Sequence, residues 1–289
     1  MFKKNSILVI LFLMLNVCYT VFADTTDAMS YLRMGLGARA LSMGGAFTGV
    51  SDDASAIFWN PAGISKLEKT EIISMYSLLS LERSLNTICG VYRMSYGSFG
   101  LSIINSGVTG IKGYDENQTF TGDFNYQSNT VFISYANSIQ ENLSMGGNLK
   151  VITDILKDNN RTGFGFDFGI LSNVSDRFSI GIKMQDIGSK IGEDNLPISI
   201  NLGFAYRFID NKLTVATDLN KISDKQNIKL RIGSEYKLAD IFSFGVGIND
   251  SNISFGINLF VNVVSFSYAY LTDNFKLNDS HYISLGAKF

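Results

Sequence analysis

The sequence contains few cysteines, prolines, histidines and charged residues. Two cysteines, two prolines and one histidine occur among 289 residues, and charged residues make up 17% of the chain, against about a quarter in ordinary soluble domains. A zinc site needs several cysteine or histidine ligands, and a Ser-His-Asp hydrolase needs a histidine beside its serine. The only histidine, His281, lies near the end of the chain. We therefore expect no enzyme activity, no metal and no cofactor.

The sequence also has no long apolar run after residue 23 and no excess of positive charge. A transmembrane helix needs about 18 or more consecutive apolar residues, so none is expected in the mature chain. The formal net charge is −2, which argues against a nucleic-acid partner. Glycine (27 residues) and aromatic residues (12%) are abundant instead. A single β-barrel domain can accommodate a chain of this length.

Residues 1–23 have the pattern of a secretory signal peptide. Two lysines precede an apolar run over 7–17, and Ala23 completes a cleavage site with small residues at its −3 and −1 positions. We predict that the mature chain begins at Asp24. The alternative is a lipoprotein signal ending at Cys18, but the residue before that cysteine is valine rather than a small residue.

The stretch 35–63, GLGARALSMGGAFTGVSDDASAIFWNPAG, is the part of the chain least like a β-strand. A Gly-rich, irregular segment followed only by strands predicts a closed sheet with an N-terminal plug, or hatch, in its lumen. Pro61 is expected to fix a turn, and Gly63 is expected to adopt a positive φ there. The residues assigned to this plug are Gly37, Arg39, Gly44, Gly45, Asp52, Asp53, Trp59, Asn60, Pro61 and Gly63.

The start of this stretch also matches a nucleotide-binding pattern. Residues 35–40 read G-x-G-x-x-A, but no strand leads into them and no βαβ unit follows, as a dinucleotide site requires. We interpret these glycines as allowing close packing inside a tube. Apolar residues at helical spacing over 29–43 predict one or two short helices.

After residue 69 the chain alternates between apolar and polar residues. A strand with one apolar and one polar face has this period of two. Most of the predicted strands have the length of a tilted strand that crosses a bilayer. Fourteen predicted strands cover 70–79, 84–94, 97–108, 125–136, 141–153, 162–172, 177–186, 197–208, 211–220, 227–238, 241–249, 252–261, 263–272 and 279–289.

The connections between these strands alternate in length. The odd-numbered ones have 4, 16, 8, 10, 6, 2 and 6 residues and the even-numbered ones 2, 4, 4, 2, 2 and 1, as in outer-membrane barrels with short periplasmic turns. A closed sheet of this many strands is too wide for its own side chains to fill, so its apolar face is expected to contact lipid. We predict an all-β, transmembrane antiparallel barrel over 69–289, preceded by a plug over 24–68 and a signal peptide over 1–23.

The terminal residue, Phe289, ends a last strand of alternating pattern. Such a terminal aromatic residue resembles the signal read by the outer-membrane assembly machinery. We therefore expect the bacterial outer membrane as the location, with its lipid and this machinery as partners.

The acidic pair Asp52 and Asp53 has two possible roles. Alternation places six basic and three acidic side chains on the inner wall, so the pair is predicted to anchor the plug against Lys229 and Arg231. The other interpretation is a cap for a short helix starting at Ala54. The candidate basic residues of the lumen wall are Lys183, Arg207, Lys229 and Arg231.

Three motifs of the plug resemble a known family. LGARA with MGGAF at 36–47, DDASA at 52–56 and WNPAG at 59–63 are similar to the PorV/PorQ proteins (UPF0164), relatives of the FadL long-chain fatty acid transporters. The likeness is specific over 33–63 and architectural afterwards. It implies a fourteen-stranded outer-membrane barrel with an N-terminal hatch.

The resemblance implies two alternative functions. A FadL-like protein would pass hydrophobic small molecules, such as long-chain fatty acids, across the outer membrane, and its partner would be that ligand. A PorV-like protein would instead serve type IX secretion as an accessory or shuttle, and its partners would be secretion-complex proteins. The longest predicted connection, 109–124, is short for a ligand-capturing loop.

Overall fold

The computed structural model describes residues 29–157, 159–250, 252–272 and 279–289. The predicted signal peptide and the first five residues of the predicted mature chain lie outside these ranges. Within them, no helix combines the length and apolar character needed to cross a bilayer.

One antiparallel sheet contains all the strands and closes on itself. β1 pairs with β15, and β6 pairs with β7, which joins the two ends of the strand order. β8 is a two-residue strand on the end of β7, so fourteen strands form the wall and the predicted closed fourteen-stranded barrel is confirmed. The strands are β1 Glu71–Leu78, β2 Arg83–Met94, β3 Gly97–Tyr114, β4 Phe120–Gln140, β5 Leu143–Leu156, β6 Asn159–Asn173, β7 Phe178–Ile191, β8 Asp194–Asn195, β9 Ser199–Phe208, β10 Leu213–Ile222, β11 Ile228–Ala239, β12 Phe242–Asn249, β13 Asn252–Val261, β14 Val264–Leu271 and β15 Ser280–Lys288.

The apolar side chains of the barrel point outward and the polar ones inward. Along β13, Phe255 and Ile257 are 49% and 40% exposed, whereas the polar residues on either side of this pair, Ser254 and Asn258, are at most 1% exposed. A barrel in water would have the opposite arrangement. The exterior therefore has the apolar character of a barrel that spans a membrane.

The predicted long loop 109–124 is mostly strand. β3 and β4 continue into it as a hairpin, and only 115–119 remain as its turn. Gly110 has a φ of 66°, and the pairing register shifts beside it, which interrupts the alternation that the sequence analysis relied on. The rings of Tyr114 and Phe120 pack edge to face across the end of the hairpin, with their centres 5.9 Å apart.

Residues 29–67, here called the N-terminal segment, lie inside the barrel. They form a 3₁₀ turn Ser30–Arg33, a helix α1 Ala38–Ser42, a helix α2 Ala56–Trp59 and a 3₁₀ helix Pro61–Lys66. α1 contacts β12 to β15, and Pro61–Lys66 contacts β3 to β6 on the other side. Their apolar residues form most of the core of the molecule, since Leu32, Leu41, Phe47, Ile57 and Ile64 are at most 2% exposed.

Candidate functional site

The inner wall approaches the backbone of the N-terminal segment most closely at glycines. A Cβ atom added to Gly181 would lie 2.0 Å from the carbonyl oxygen of Thr48, and one added to Gly233 would lie 2.2 Å from that of Met43. Real Cβ atoms do not come so near to other heavy atoms. The inward-facing glycines of the wall, such as Gly181 and Gly233, therefore form part of the surface on which the segment packs.

Glycines within the segment serve two different purposes. Gly37, Gly44 and Gly45 have positive φ values of 83°, 65° and 72°, which non-glycine residues rarely adopt. The prediction of a positive φ at Gly63 is wrong, because Gly63 is not among the positive-φ residues. A side chain is excluded there by space instead, since its Cβ would lie 2.2 Å from the carbonyl oxygen of Ser51.

Arg39 on α1 joins the acidic pair of the segment to the wall. Its Nη1 lies 2.6 Å from Asp52 Oδ1 and 3.0 Å from Asp53 Oδ2. Its Nε and Nη2 donate to the two carboxylate oxygens of Glu235 on β11, at 2.9 and 2.7 Å. This two-pronged arrangement is the stronger form of an arginine–carboxylate contact. The guanidinium also lies 5.3 Å from the centre of the Phe47 ring.

The predicted pairing of Asp52 and Asp53 with Lys229 and Arg231 is therefore wrong. The pairing is made by a basic residue of the segment itself, because α1 places Arg39 between the acidic pair and Glu235. Alternation along the strands locates charges on the wall but gives no information on how the segment folds inside it.

Asp52 remains ionised in this surrounding. Burial works to raise the pKa of its carboxyl group, but the attraction of Arg39, aided by Arg207 and Lys237, outweighs burial and holds that pKa below its ordinary value. Its side chain is 40% exposed, because it faces a cavity of about 250 Å³. This cavity lies at the end of the barrel where β15 ends, and Lys288 also lines it.

The helix-cap interpretation is also incorrect, because α2 begins at Ala56 rather than Ala54 and its N-cap residue, Ser55, makes no side-chain cap hydrogen bond. Asp53 instead holds the turn before this helix. Its Oδ1 accepts the backbone N–H of Ser55 at 3.0 Å and the Ser55 hydroxyl at 2.5 Å, in the turn before α2. One oxygen of Asp53 thus holds the turn while the other meets Arg39.

The four candidate residues of the lumen wall have different surroundings. Lys183 is buried and donates to the carbonyl oxygen of Phe58 and to Gln185. Arg231 is buried beneath the Trp59 ring, with its guanidinium carbon 5.7 Å from the ring centre. Arg207 is half-buried and Lys229 is exposed. The structure thus brings only Lys183 and Arg231 into contact with the N-terminal segment.

The Trp59-Asn60-Pro61 turn fixes the end of the segment to the wall. Trp59 Nε1 donates to the carbonyl oxygen of Leu36 at 2.7 Å, and Pro61 begins the last 3₁₀ helix. The Asn60 side-chain amide donates to the carbonyl oxygens of Thr48 and Ile170 at 3.1 and 2.9 Å and accepts the Ala62 N–H. Asn60 is fully buried, so every hydrogen-bonding group of its side chain has a partner.

Replacement of Asn60 by aspartate should destabilise the protein without changing the size of the side chain. The new carboxylate would present an oxygen to two carbonyl oxygens that now accept hydrogen bonds, at a cost of about 1–3 kcal/mol for each group left unpartnered. The loss of stability should appear as unfolding at a lower temperature in detergent, monitored by heat-modified migration on gels. Asn60→Gln tests amide chemistry with a longer side chain, and a variant Asn60→Asp as stable as the wild type would contradict the assignment.

A buried ionic cluster on the wall was only partly visible in the sequence. Lys150 contacts Asp167 at 2.7 Å and Asp186, and all three side chains are at most 1% exposed. Alternation places Lys150 and Asp167 inward. Asp186 was missed because the β6–β7 register shifts beside it and its φ is 63°. On β10, Asp218 accepts the N–H groups of Phe47 and Thr48, a third attachment of the segment.

The two ends of the barrel each hold an open cavity. The end with the β1–β2 connection 79–82, here called the loop end, has a cavity of about 320 Å³. Its lining includes Tyr31, Met34 and Leu79, with Arg83 at the side. Two further cavities between the segment and the wall have volumes of only about 30 and 20 Å³, close to that needed by one water molecule.

A closed antiparallel barrel with an apolar exterior and its own N-terminal segment inside belongs to the class of transmembrane β-barrels. Solved structures with this fold include the CymD monoaromatic hydrocarbon channel, 15% identical, with a TM-score of 0.66 over 89% of this chain and 98% of that one. The Pseudomonas putida toluene transporter TodX is 13% identical, with a TM-score of 0.62 over 88% and 96% of the two chains. A Pseudomonas aeruginosa FadL homologue is 13% identical, with a TM-score of 0.60 over 88% and 98%.

No protein-family model matches the chain, and no curated protein matches its sequence. At 13–15% identity the likeness to the solved structures establishes a shared fold. The resemblance of residues 33–63 to the PorV/PorQ proteins stays a prediction.

Proposed function

We propose that this protein is a FadL-like barrel of the bacterial outer membrane that passes hydrophobic small molecules. The observation that carries the proposal is a fold shared almost end to end with a hydrocarbon channel and a toluene transporter. The apolar exterior supports insertion into a membrane. The protein then has lipid as its surroundings, a hydrophobic compound as its ligand, and no catalytic step.

The loop-end cavity is the proposed entry site for the ligand. Its lining combines apolar side chains such as Met34, Leu79 and Val108 with the hydroxyl of Tyr126. Its volume of about 320 Å³ is of the order of a small-molecule site, about 300–1,000 Å³. Between this cavity and the other end the segment packs closely against the wall, so passage requires the N-terminal segment to shift.

An uptake assay in a deletion strain tests this function. Cells that express the protein should take up labelled toluene or long-chain fatty acid faster than cells without it. The variant Met34→Glu places a carboxylate among the apolar residues of the entry cavity, which is also lined by Arg83 and Arg161, and should lower uptake several-fold, since a hydrophobic ligand would have to displace the water that solvates this carboxylate. Met34→Leu is the matched control and should retain uptake. Equal uptake by expressing and deleted cells would contradict the proposal.

The secretion role implied by the sequence resemblance gives a different result in the same strains. Deletion would then leave uptake unchanged and remove secreted proteins from the cell surface.

The role of Phe289 in assembly also stays a prediction. Its side chain is 66% exposed, and its N–H donates to the carbonyl oxygen of Thr70 at 2.9 Å.

A further inference from the structure

The cavity of about 20 Å³ between the N-terminal segment and β7 to β11 has an unusual lining. Three basic residues line it, Arg33, Lys183 and Arg231, and none of its lining residues is acidic. Its remaining surface consists of the rings of Phe58 and Trp59 and of neutral polar groups. The neutral polar residues are Thr48, Gln185, Ser199, Asn201 and Asn220.

Arg231 is the most informative residue of this cavity. It is 8% exposed, and its Nε is buried without a hydrogen-bond partner among the described residues. Asp218 lies directly opposite it on β10 and attracts it. One oxygen of that carboxylate accepts the N–H groups of Phe47 and Thr48 and the other has no hydrogen-bond partner, but none of the ion pairs within the described ranges joins Asp218 to Arg231. Leaving a buried donor of a charged group without a partner is costly.

Lys183 is the second buried cation of the cavity. Its hydrogen-bond acceptors are neutral, namely the carbonyl oxygen of Phe58 and the side-chain oxygen of Gln185. The nearby carboxylates of Asp167 and Asp186 are both engaged by Lys150. Two buried cations thus face one small space with no carboxylate on its surface.

We propose that this cavity binds one compact anion of the size of chloride, which links the N-terminal segment to the barrel wall. The anion would accept hydrogen bonds from Arg231 and lie within the field of Lys183. The volume has room for about one water-sized particle, so among anions a monatomic one such as chloride comes nearest to its size. The site shares no lining residue with the loop-end cavity, although Arg33 of the one and Met34 of the other are neighbours in the chain.

Bromide gives a direct test with the full-length protein in detergent. Crystals grown or soaked in sodium bromide should show an anomalous scattering peak within hydrogen-bonding distance of the Arg231 guanidinium. An ordered water in that position, or a direct Arg231–Asp218 ion pair that fills the cavity, would overturn the proposal. This measurement uses the wild-type protein and does not depend on the folding of any variant.

Anion-dependent stability is the second test. At constant ionic strength, chloride or bromide in place of gluconate should raise the melting midpoint of the wild type by roughly 2–4 °C. Arg231→Gln should lose this dependence. Lys229→Gln, on the same strand but at an exposed position, is the matched control and should retain it.

A free anion and the headgroup of an amphiphile both present a single negative charge. Octanoate, which is an amphiphile, distinguishes the two. It should not reproduce the effect of chloride. Stabilisation by octanoate alone, or an equal chloride effect in Arg231→Gln and the wild type, would overturn the proposal. Uptake of hydrophobic compounds is measured separately, so failure of this site would leave the proposed transport untouched.

Discussion

Replacement of Arg39 by alanine is expected to turn a nearly closed barrel into a leaky one. The change leaves the carboxylates of Asp52, Asp53 and Glu235 close together without the guanidinium that now separates them. Glu235 is 1% exposed at its side chain, so its charge would be buried and unpaired. Breaking a buried ion pair by removing one partner costs about 3–5 kcal/mol.

The three carboxylates would repel one another, and α1 would leave its place against β12 to β15. In planar bilayers Arg39→Ala should therefore show larger or more frequent conductance steps than the wild type. The strands should still form, because Glu235 is the only strand residue among the four charged residues Arg39, Asp52, Asp53 and Glu235.

Two further variants separate charge from geometry. Arg39→Lys keeps the positive charge but loses the two-pronged contact with Glu235 and should be intermediate. Arg39→Ala combined with Glu235→Gln removes the buried unpaired charge and should recover part of the lost stability. If Arg39→Ala conducts like the wild type and melts only slightly earlier, the ion pairs of Arg39 do not hold the segment in place.

Alanine at Gly233 should have the second-largest effect. The added Cβ would lie 2.2 Å from the carbonyl oxygen of Met43 and 2.8 Å from the Met43 carbonyl carbon. Both are backbone atoms, so the clash cannot be relieved by turning a side chain. Overpacking of this kind costs about 1–3 kcal/mol, and the relief is a shift of the segment away from β11.

Limited proteolysis of the folded protein measures this shift. The N-terminal segment of Gly233→Ala should be cut several-fold faster, while the barrel itself keeps its heat-modified migration on gels. Gly181→Ala, whose Cβ would lie 2.0 Å from the Thr48 oxygen, should act in the same way from another strand. Gly90→Ala is the control, because its Cβ would come no nearer than 3.7 Å to any neighbour. Equal cleavage of all three variants would contradict the packing described here.

The barrel was predictable because its strands repeat one local rule. Alternation gave the faces of the strands correctly, as along β13, where Phe255 lies outside and Ser254 inside. The rule fails where one residue is inserted. Gly110 in β3 and Asp186 in β7 both have positive φ values beside a register shift, and there the sequence analysis ended a strand too early.

The interior contacts were not predictable, because they join residues that are far apart in sequence. Glu235 and Arg39 are 196 positions apart, and nothing in the strand pattern indicates which inward charge the acidic pair will meet. The sequence pattern predicted a polar inner wall, and the structure shows which residues of that wall contact the N-terminal segment. The role of Gly63 depended likewise on a neighbour, Ser51, that is not close to it in the chain.

The contacts of α1 with the last strands have a consequence for the order of assembly. The N–H of Ala38 donates to Ser284 Oγ, 246 positions away, and Ser254 donates to the carbonyl oxygen of Ser42, 212 positions away. The surface that receives α1 is thus completed only when β15 is in place. Such distant contacts slow folding, because a long loop must close before they form. The segment therefore reaches its final position only as β15 pairs with β1 and the barrel closes around it.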